Sequence, residues 1–173
     1  MGSAKVPGSA READLIRMME QHGDRLVGLC AGLLQDSALA QDVVQETFIR
    51  AYQHMDRFRG QHEGSEKAWL TRIAINLCRD QQRSRWFRFI DRSVSYDMLP
   101  ERGESAEDTS SQLYAAVQQL PMKYREVILL HYYQDLQVCE IAQALGLNVS
   151  SIYRRLDKAR EKLKTKLERW DFG

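Results

Sequence analysis

The sequence predicts an all-α protein of two small helical domains joined by a flexible linker, and three observations carry that expectation. Apolar residues recur at spacings of three and four through most of the chain, as they do on helices with one buried face. No segment gives a convincing apolar–polar alternation of strand length. Residues 93–111, SVSYDMLPERGESAEDTSS, break the periodicity with five carboxylates, five serines, a proline and a glycine. Such a segment cannot bury enough apolar surface to order itself, so it reads as a flexible acidic linker and domain boundary. With 173 residues the chain has room for two cores.

The elements follow in order. MGSAKVPGS resembles an expression scar or disordered tail, so residues 1–11 are set aside and the first domain is placed at 12–92. Leu15, Ile16, Met18, Met19, Leu26, Val27, Leu29, Cys30, Leu33 and Leu34 imply two consecutive helices broken near Gly23. Ser37 is placed to cap a third helix running to about Met55, with Val43, Val44, Phe48, Ala51 and Tyr52 inward. Residues 58–64 hold two glycines and read as a loop. Ser65 then caps a long helix through Trp69, Leu70, Ile73, Ala74, Leu77 and Cys78, with arginines left for solvent. RWFRFI (85–90) closes the first domain's core, or else offers a sticky surface to DNA or an inhibitor. The second domain, residues 112–170, resumes with QLYAAVQQL and PMKYREVILLHYY, where Pro121 suits a first helical turn. Two more helices then follow, the last reaching about Arg169.

Composition excludes several classes. Cys30, Cys78 and Cys139 stand singly among apolar residues, which suits buried core thiols, and His22, His54, His62 and His131 are scattered, so no metal site is expected. No cofactor or small-molecule substrate is expected either. There is no Gly-rich phosphate loop, no carboxylate pair at catalytic spacing and no Cys with an activating His, so an enzyme is not expected. No apolar run approaches the roughly 20 residues of a membrane span, and there is no secretory apolar core. The expectation is a soluble cytoplasmic protein.

EIAQALGLNVSSIYRRL (140–156) carries the first functional signal. A helix-turn-helix needs a small residue in its first helix, a glycine at the turn and an aliphatic residue inside the second, and Ala142, Gly146 and Ile152 stand in that order. Asn148 is placed to cap the second helix. That helix would set Ser150, Ser151, Tyr153, Arg154, Arg155, Asp157 and Lys158 near base edges or phosphates. From Arg154 to Arg169 eight Lys or Arg face three acids, an excess suited to phosphate contacts and not explained by the net charge of +1.

DVVQETFIRAYQHMDRF (42–58) carries the second. On a helix Asp42, Gln45, Glu46 and Ile49 share the face opposite Val44, Phe48 and Tyr52, giving an acidic stripe with one exposed isoleucine. By itself it is an ordinary solvated face with a Glu46–Arg50 ion pair.

Taken together these segments resemble the extracytoplasmic-function branch of the bacterial sigma-70 factors. DVVQETFIRAY is similar to the family's region 2 helix that docks on the β′ clamp helices of RNA polymerase. WLTRIAINLCRD (69–80) resembles the helix facing the −10 element, and LPMKYREVILLHYY with the helix-turn-helix resembles region 4, which reads the −35 element. The resemblance implies a non-catalytic specificity subunit whose partners are core RNA polymerase (β′ clamp helices and β subunit), promoter DNA and an anti-sigma factor, often membrane-bound. Two tethered domains gain avidity from each other's weak contacts. It further implies that Asp42, Gln45, Glu46 and Ile49 meet the polymerase. The loop 58–69 is expected to pocket a flipped base, Asn76 to touch a promoter base, and Arg59, Arg72, Arg79 and Arg83 to hold phosphates, although those arginines also suit a plain solvated face. Tyr153 and Asp157 depart from the basic and aromatic types usual there. Since an aspartate accepts from cytosine N4, the −35 sequence is expected to differ from the family's GGAAC-like element. The competing reading is a free-standing helix-turn-helix regulator that uses residues 12–90 for dimerisation or sensing.

Overall fold

The computed structural model describes the backbone of residues 6–61, 65–92 and 109–171 and the side chains of 10–58, 65–88 and 111–169. Helices α1 (Val6–Leu34), α2 (Ser37–Gln61) and α3 (Glu66–Arg92) form one module; α4 (Thr109–Gln118), α5 (Met122–Ile128), a π-helical turn (Leu129–Tyr133), α6 (Val138–Leu145) and α7 (Val149–Asp171) form the other. Among the described residues there is no strand, as expected of an all-α chain. Loop residues 62–64 and linker residues 93–108 lie outside the described residues.

Several boundaries differ from expectation. α1 is one helix, not two, and starts at Val6, inside the segment expected to be tail. A helical glycine costs about 1 kcal/mol, which is less than α1 recovers by burying Met18, Leu26, Leu29, Cys30 and Leu33. α2 runs past Met55 to Gln61. Its start is capped by Asp36, whose Oδ1 accepts the Leu39 N–H at 3.0 Å, and not by Ser37. Ser65 does cap α3, its Oγ accepting the Ala68 N–H at 3.1 Å. The first module thus has three helices where four were expected, and residues 109–111 belong to α4 and not to the linker.

The end of α1 shows why the modules meet. The last carbonyls of a helix lack partners within it. Here Leu33 O accepts from Gln82 of α3 at 3.1 Å and from Arg125 of α5 at 2.9 Å, and Leu34 O from Arg85 at 3.3 Å. Arg85 also pairs with Asp36 at 2.6 Å. Side chains of both modules consequently form one apolar cluster, with Leu29, Leu33, Leu70 and Ile75 on one side and Leu130, Leu136, Ile141 and Ile152 on the other. Gly28 and Gly32, one turn apart on α1, lie under Tyr133 and Leu129 of the π turn. In that turn Gln134 N–H donates to Leu129 O, five residues back, at 2.9 Å. Gln134, almost fully buried, reaches Thr71 Oγ1 of α3 at 3.0 Å.

Two cysteines meet expectation and one does not. Cys30 and Cys78 are buried, and the contact between their thiols, with burial, pushes the Cys78 thiol far up, so it stays protonated. Cys139 is exposed on α6. RWFRFI does not close a core through its described aromatics: Trp86 is 62% exposed and Phe87 68%. Phe89 and Ile90 have side chains outside the described residues.

Glu66, in the first turn of α3, accepts two hydrogen bonds from Arg17 at 2.9 and 2.7 Å and contacts His22 at 3.0 Å. The Arg17 hydrogen bonds, then His22, hold its carboxyl below the ordinary range despite partial burial. The Leu39 N–H, then Arg85, do the same for Asp36. Both folded values lie below the unfolded ones, so their stabilisation is full above the ordinary carboxylate range and is lost as pH falls through it. The melting temperature is therefore expected to drop on acidification from about pH 5 to about pH 3. The Asp36→Asn, Glu66→Gln double variant should show a shallower drop by circular dichroism; an equal slope would place the acid sensitivity elsewhere.

Candidate nucleic-acid and partner interfaces

The helix-turn-helix is built by its caps. Gln137 and Glu140 form a reciprocal capping box at the start of α6, with Gln137 N–H donating to Glu140 Oε2 at 2.9 Å. Gly146 ends α6 in the left-handed conformation, φ 66°, and Leu147 N–H donates to Ala142 O at 2.9 Å, the Schellman closure a glycine permits. Asn148 caps α7 as expected: its Oδ1 accepts the Ser151 N–H and the Ser150 hydroxyl, both at 2.8 Å. Ala142 is buried, as are Ile152, Leu156 and Ala159, which form the inward stripe of α7.

The opposite face of α7 is open. Ser150, Tyr153, Arg154, Asp157 and Lys158 are exposed and Ser151 is half-buried. Asp157 is not a bare charge, because Arg160 Nη1 pairs with it at 3.2 Å while Arg160 Nε donates to Tyr132 Oη at 2.8 Å. That neighbour lowers the cost of holding an aspartate near phosphates. Arg155 is the exception: it turns inward, and its guanidinium lies 4.0 Å from Glu126 Oε2.

α2 presents the acidic stripe as expected. Asp42, Gln45 and Ile49 are exposed, Glu46 is half-buried and bonded to Arg50 Nε at 2.8 Å, and Val43, Val44 and Phe48 point inward.

On α3, Arg72, Asn76 and Arg83 are exposed along one face, while Arg79 is not free. Arg79 Nε and Nη2 donate to the two oxygens of Glu126 at 2.9 and 3.1 Å, and Nη1 donates to Leu145 O at 3.4 Å. The Glu126 hydrogen bonds raise its pKa further, so the guanidinium is fixed as a cation. Glu126 itself is 3% exposed. Arg59 has a side chain outside the described residues, as does the tip of the expected base pocket. The neck of that loop is closed by Phe58 stacked on Trp69, ring centroids 4.6 Å apart.

The structure adds a surface that the sequence reading missed. An apolar groove of about 740 Å³ runs between α4, the π turn and α7, lined by Leu113, Tyr114, Val117, Leu129, Tyr132 and Leu163 among others, with Arg160, Lys164 and Glu168 also lining it. Leu113, Tyr114 and Tyr132 are all about half exposed. A clue lay in QLYAAVQQL and LLHYY, which carry more apolar and aromatic residues than one inward stripe uses. Among the described residues no group of three or more His, Cys, Asp or Glu is placed to hold a metal, and no helix is long and apolar enough to cross a membrane.

Known proteins share this arrangement. Residues 18–88 match the family model for Sigma-70 region 2 and residues 110–163 that for Sigma-70, region 4. The chain is 33% identical over 171 residues to the ECF RNA polymerase sigma factor SigL of Mycobacterium tuberculosis, covering 95% of this chain and 96% of that one. It is 30% identical over 164 residues to the ECF RNA polymerase sigma factor SigW of Bacillus subtilis, covering 87% of each. Among solved structures, the sigma factor RpoE in complex with the anti-sigma factor NepR from Bartonella quintana has the same fold, with a TM-score of 0.73 at 24% identity over 90% of this chain and 97% of that one. CnrH in complex with the cytosolic domain of CnrY gives 0.67 at 25% identity, covering 91% and 89%.

Proposed function

The chain belongs to the sigma-70 family, as an RNA polymerase sigma factor of the extracytoplasmic-function type, and from that premise we propose which of its surfaces meets which partner. The acidic stripe of α2, Asp42, Gln45, Glu46 and Ile49, docks on the β′ clamp helices. The apolar groove between α4 and α7 takes an apolar segment of the β subunit. Asn76 contacts a base of the opened −10 element, with Arg72 and Arg83 on neighbouring phosphates. Ser150, Tyr153, Arg154, Asp157 and Lys158 meet the −35 duplex. Arg155 supports that helix from within, through Glu126. Initiation factors of this kind select and open the promoter, while the bond-forming chemistry belongs to the polymerase.

One observation carries this reading above a free-standing regulator: a single chain exposes both a polymerase-type acidic stripe on α2 and a capped, basic recognition helix. One solved relative is held by an anti-sigma factor and another by the cytosolic domain of CnrY, which supports the reading of this chain as a cytoplasmic protein with an anti-sigma partner, held at the membrane where that partner is anchored there. The test is reconstitution with bacterial core polymerase on a randomised promoter library. The expected result is transcription that requires both chain and core, from promoters whose −35 element differs from GGAAC. A chain that retards DNA alone and never directs core to a start site would be a free regulator.

A further inference from the structure

We propose that Arg160 and Tyr132 are positioning residues for base readout. Held by the Tyr132 hydroxyl, Arg160 fixes one oxygen of Asp157 and leaves the other to accept from the exocyclic amine of a cytosine or adenine in the −35 duplex. The inference rests on the reading of α7 as the −35-facing helix, and deepens it by naming what that helix selects.

The first observation is how Arg160 is held. Its Nε donates to Tyr132 Oη at 2.8 Å, its Cζ lies 5.7 Å from the Tyr132 ring centroid, and its Nη1 donates to Asp157 Oδ1 at 3.2 Å. An exposed Asp–Arg pair three residues apart on a helix is by itself a weak contact. The bond at Nε changes that. A guanidinium is planar and rigid, so once Nε is engaged the direction of Nη1 is set as well. Lys158, the neighbour of Asp157, pairs instead with Glu161 at 3.1 Å.

The second observation is what holds Tyr132. It stands in the π turn, where two consecutive tyrosines go to different neighbours. Tyr133 lies over Gly28 of α1, at the seam where the modules meet, while Tyr132 turns to α7. The His131 ring packs edge-on against the Tyr132 ring, centroids 4.8 Å apart, and His131 Nδ1 donates to Leu136 O at 3.2 Å. A run of contacts thus leads from the backbone before α6 through His131, Tyr132 and Arg160 to Asp157. Tyr132 also lines the apolar groove and is outside the base-facing set, so its influence on a base is exerted through Arg160.

The third observation is the oxygen left over. Asp157 is exposed on the open face of α7, one turn after Tyr153, and among the described residues only its Oδ1 is engaged. An ionised carboxylate accepts hydrogen bonds and donates none. In the major groove cytosine N4 and adenine N6 are donors, whereas guanine O6 and N7 and thymine O4 are acceptors. Asp157 Oδ2 therefore favours C or A over G or T, on one strand at one position. An arginine that only neutralised phosphate would act alike on every sequence.

The experiment compares wild type with Tyr132→Phe, Arg160→Lys and Asp157→Ala, each a full chain assembled with core polymerase. The templates carry the −35 sequence that wild type selects from the randomised library, with each base pair replaced in turn, and promoter binding is measured over a range of salt. Wild type is expected to favour C or A over G or T about tenfold at one position. Tyr132→Phe keeps the ring and removes the acceptor, and Arg160→Lys keeps the charge and removes the planar fork. Both are expected to cut that preference about fivefold, the worth of one hydrogen bond, while the ranking at other positions stays. Asp157→Ala is expected to abolish the preference and to free Arg160 for a phosphate, so that every template binds more tightly and the log–log salt slope steepens by about one. A wild type without this preference, or variants that weaken all templates equally with the profile unchanged, would overturn the proposal. Loss in Asp157→Ala alone, with the other two like wild type, refutes the positioning role. A wild type that never directs core to a start site puts the sigma-factor assignment of surfaces at fault instead.

Discussion

Replacing Asp42, Gln45 and Glu46 together with alanine is expected to abolish co-elution with core RNA polymerase in gel filtration while leaving the chain folded. These side chains point away from Val43, Val44 and Phe48, and their one intramolecular ion pair, Glu46 with Arg50, is worth a few tenths of a kcal/mol. Folding should therefore change by no more than about 0.5 kcal/mol per site. Binding should change far more. A hydrogen bond to a charged group contributes about 1.5–3 kcal/mol, so losing two such contacts weakens binding by roughly 3–6 kcal/mol, about a hundred- to ten-thousand-fold. Promoter-directed transcription should be lost with it, and non-specific DNA binding by the free chain should persist. A triple variant that still co-elutes with core would reduce the stripe to a solvated face.

Arg125→Ala is expected to cause the largest loss of stability among substitutions of polar residues, about 3 kcal/mol or more. Arg125 is 8% exposed, and its guanidinium donates to Gln118 O at 3.0 Å, Leu120 O at 3.4 Å and Leu33 O at 2.9 Å. Burial pushes its pKa down, yet an arginine starts so high that it remains charged. Alanine would remove three hydrogen bonds from a charged donor, leaving Leu33 O with Gln82 and Gln118 O with Gln35, and would add a cavity. Lysine should rescue poorly, because a single ammonium cannot reproduce the planar fork. Urea denaturation followed by circular dichroism measures the change in midpoint. A shift worth less than about 1 kcal/mol would mean that solvent replaces the fork.

The sequence was most legible where packing or capping demands a residue type. Ala142, Gly146 and Ile152 announced the helix-turn-helix because two helices cannot approach otherwise, and Asn148 and Ser65 announced helix starts because free N–H groups need acceptors. Gly23 misled: its intrinsic cost suggested a break, but the packing of α1 outweighs it. The π turn was illegible, since LLHYY fits ordinary helical spacing and only the seam shows why one extra residue is inserted. The site divides in the same way. Apolar periodicity oriented the outward faces of α2 and α7 correctly. It did not reveal that Arg79 and Arg155 turn toward Glu126, because charge composition counts cations without saying which of them an interior anion has claimed. The close packing of the modules was equally hidden, for an acidic linker reports freedom of the tether and nothing about the surfaces it joins.

Of the chain's three thiols, only Cys139 meets solvent, and it adjoins Glu140, whose carboxylate accepts the Ser65 hydroxyl across the seam. Cys30 and Cys78 are buried, so a maleimide dye added under native conditions attaches at one position with no cysteine removed. The unaltered chain therefore comes with its own spectroscopic address at the edge where the modules meet. A fluorophore there reads a wet or dry surrounding, so a partner that covers this edge gives a signal followed in real time.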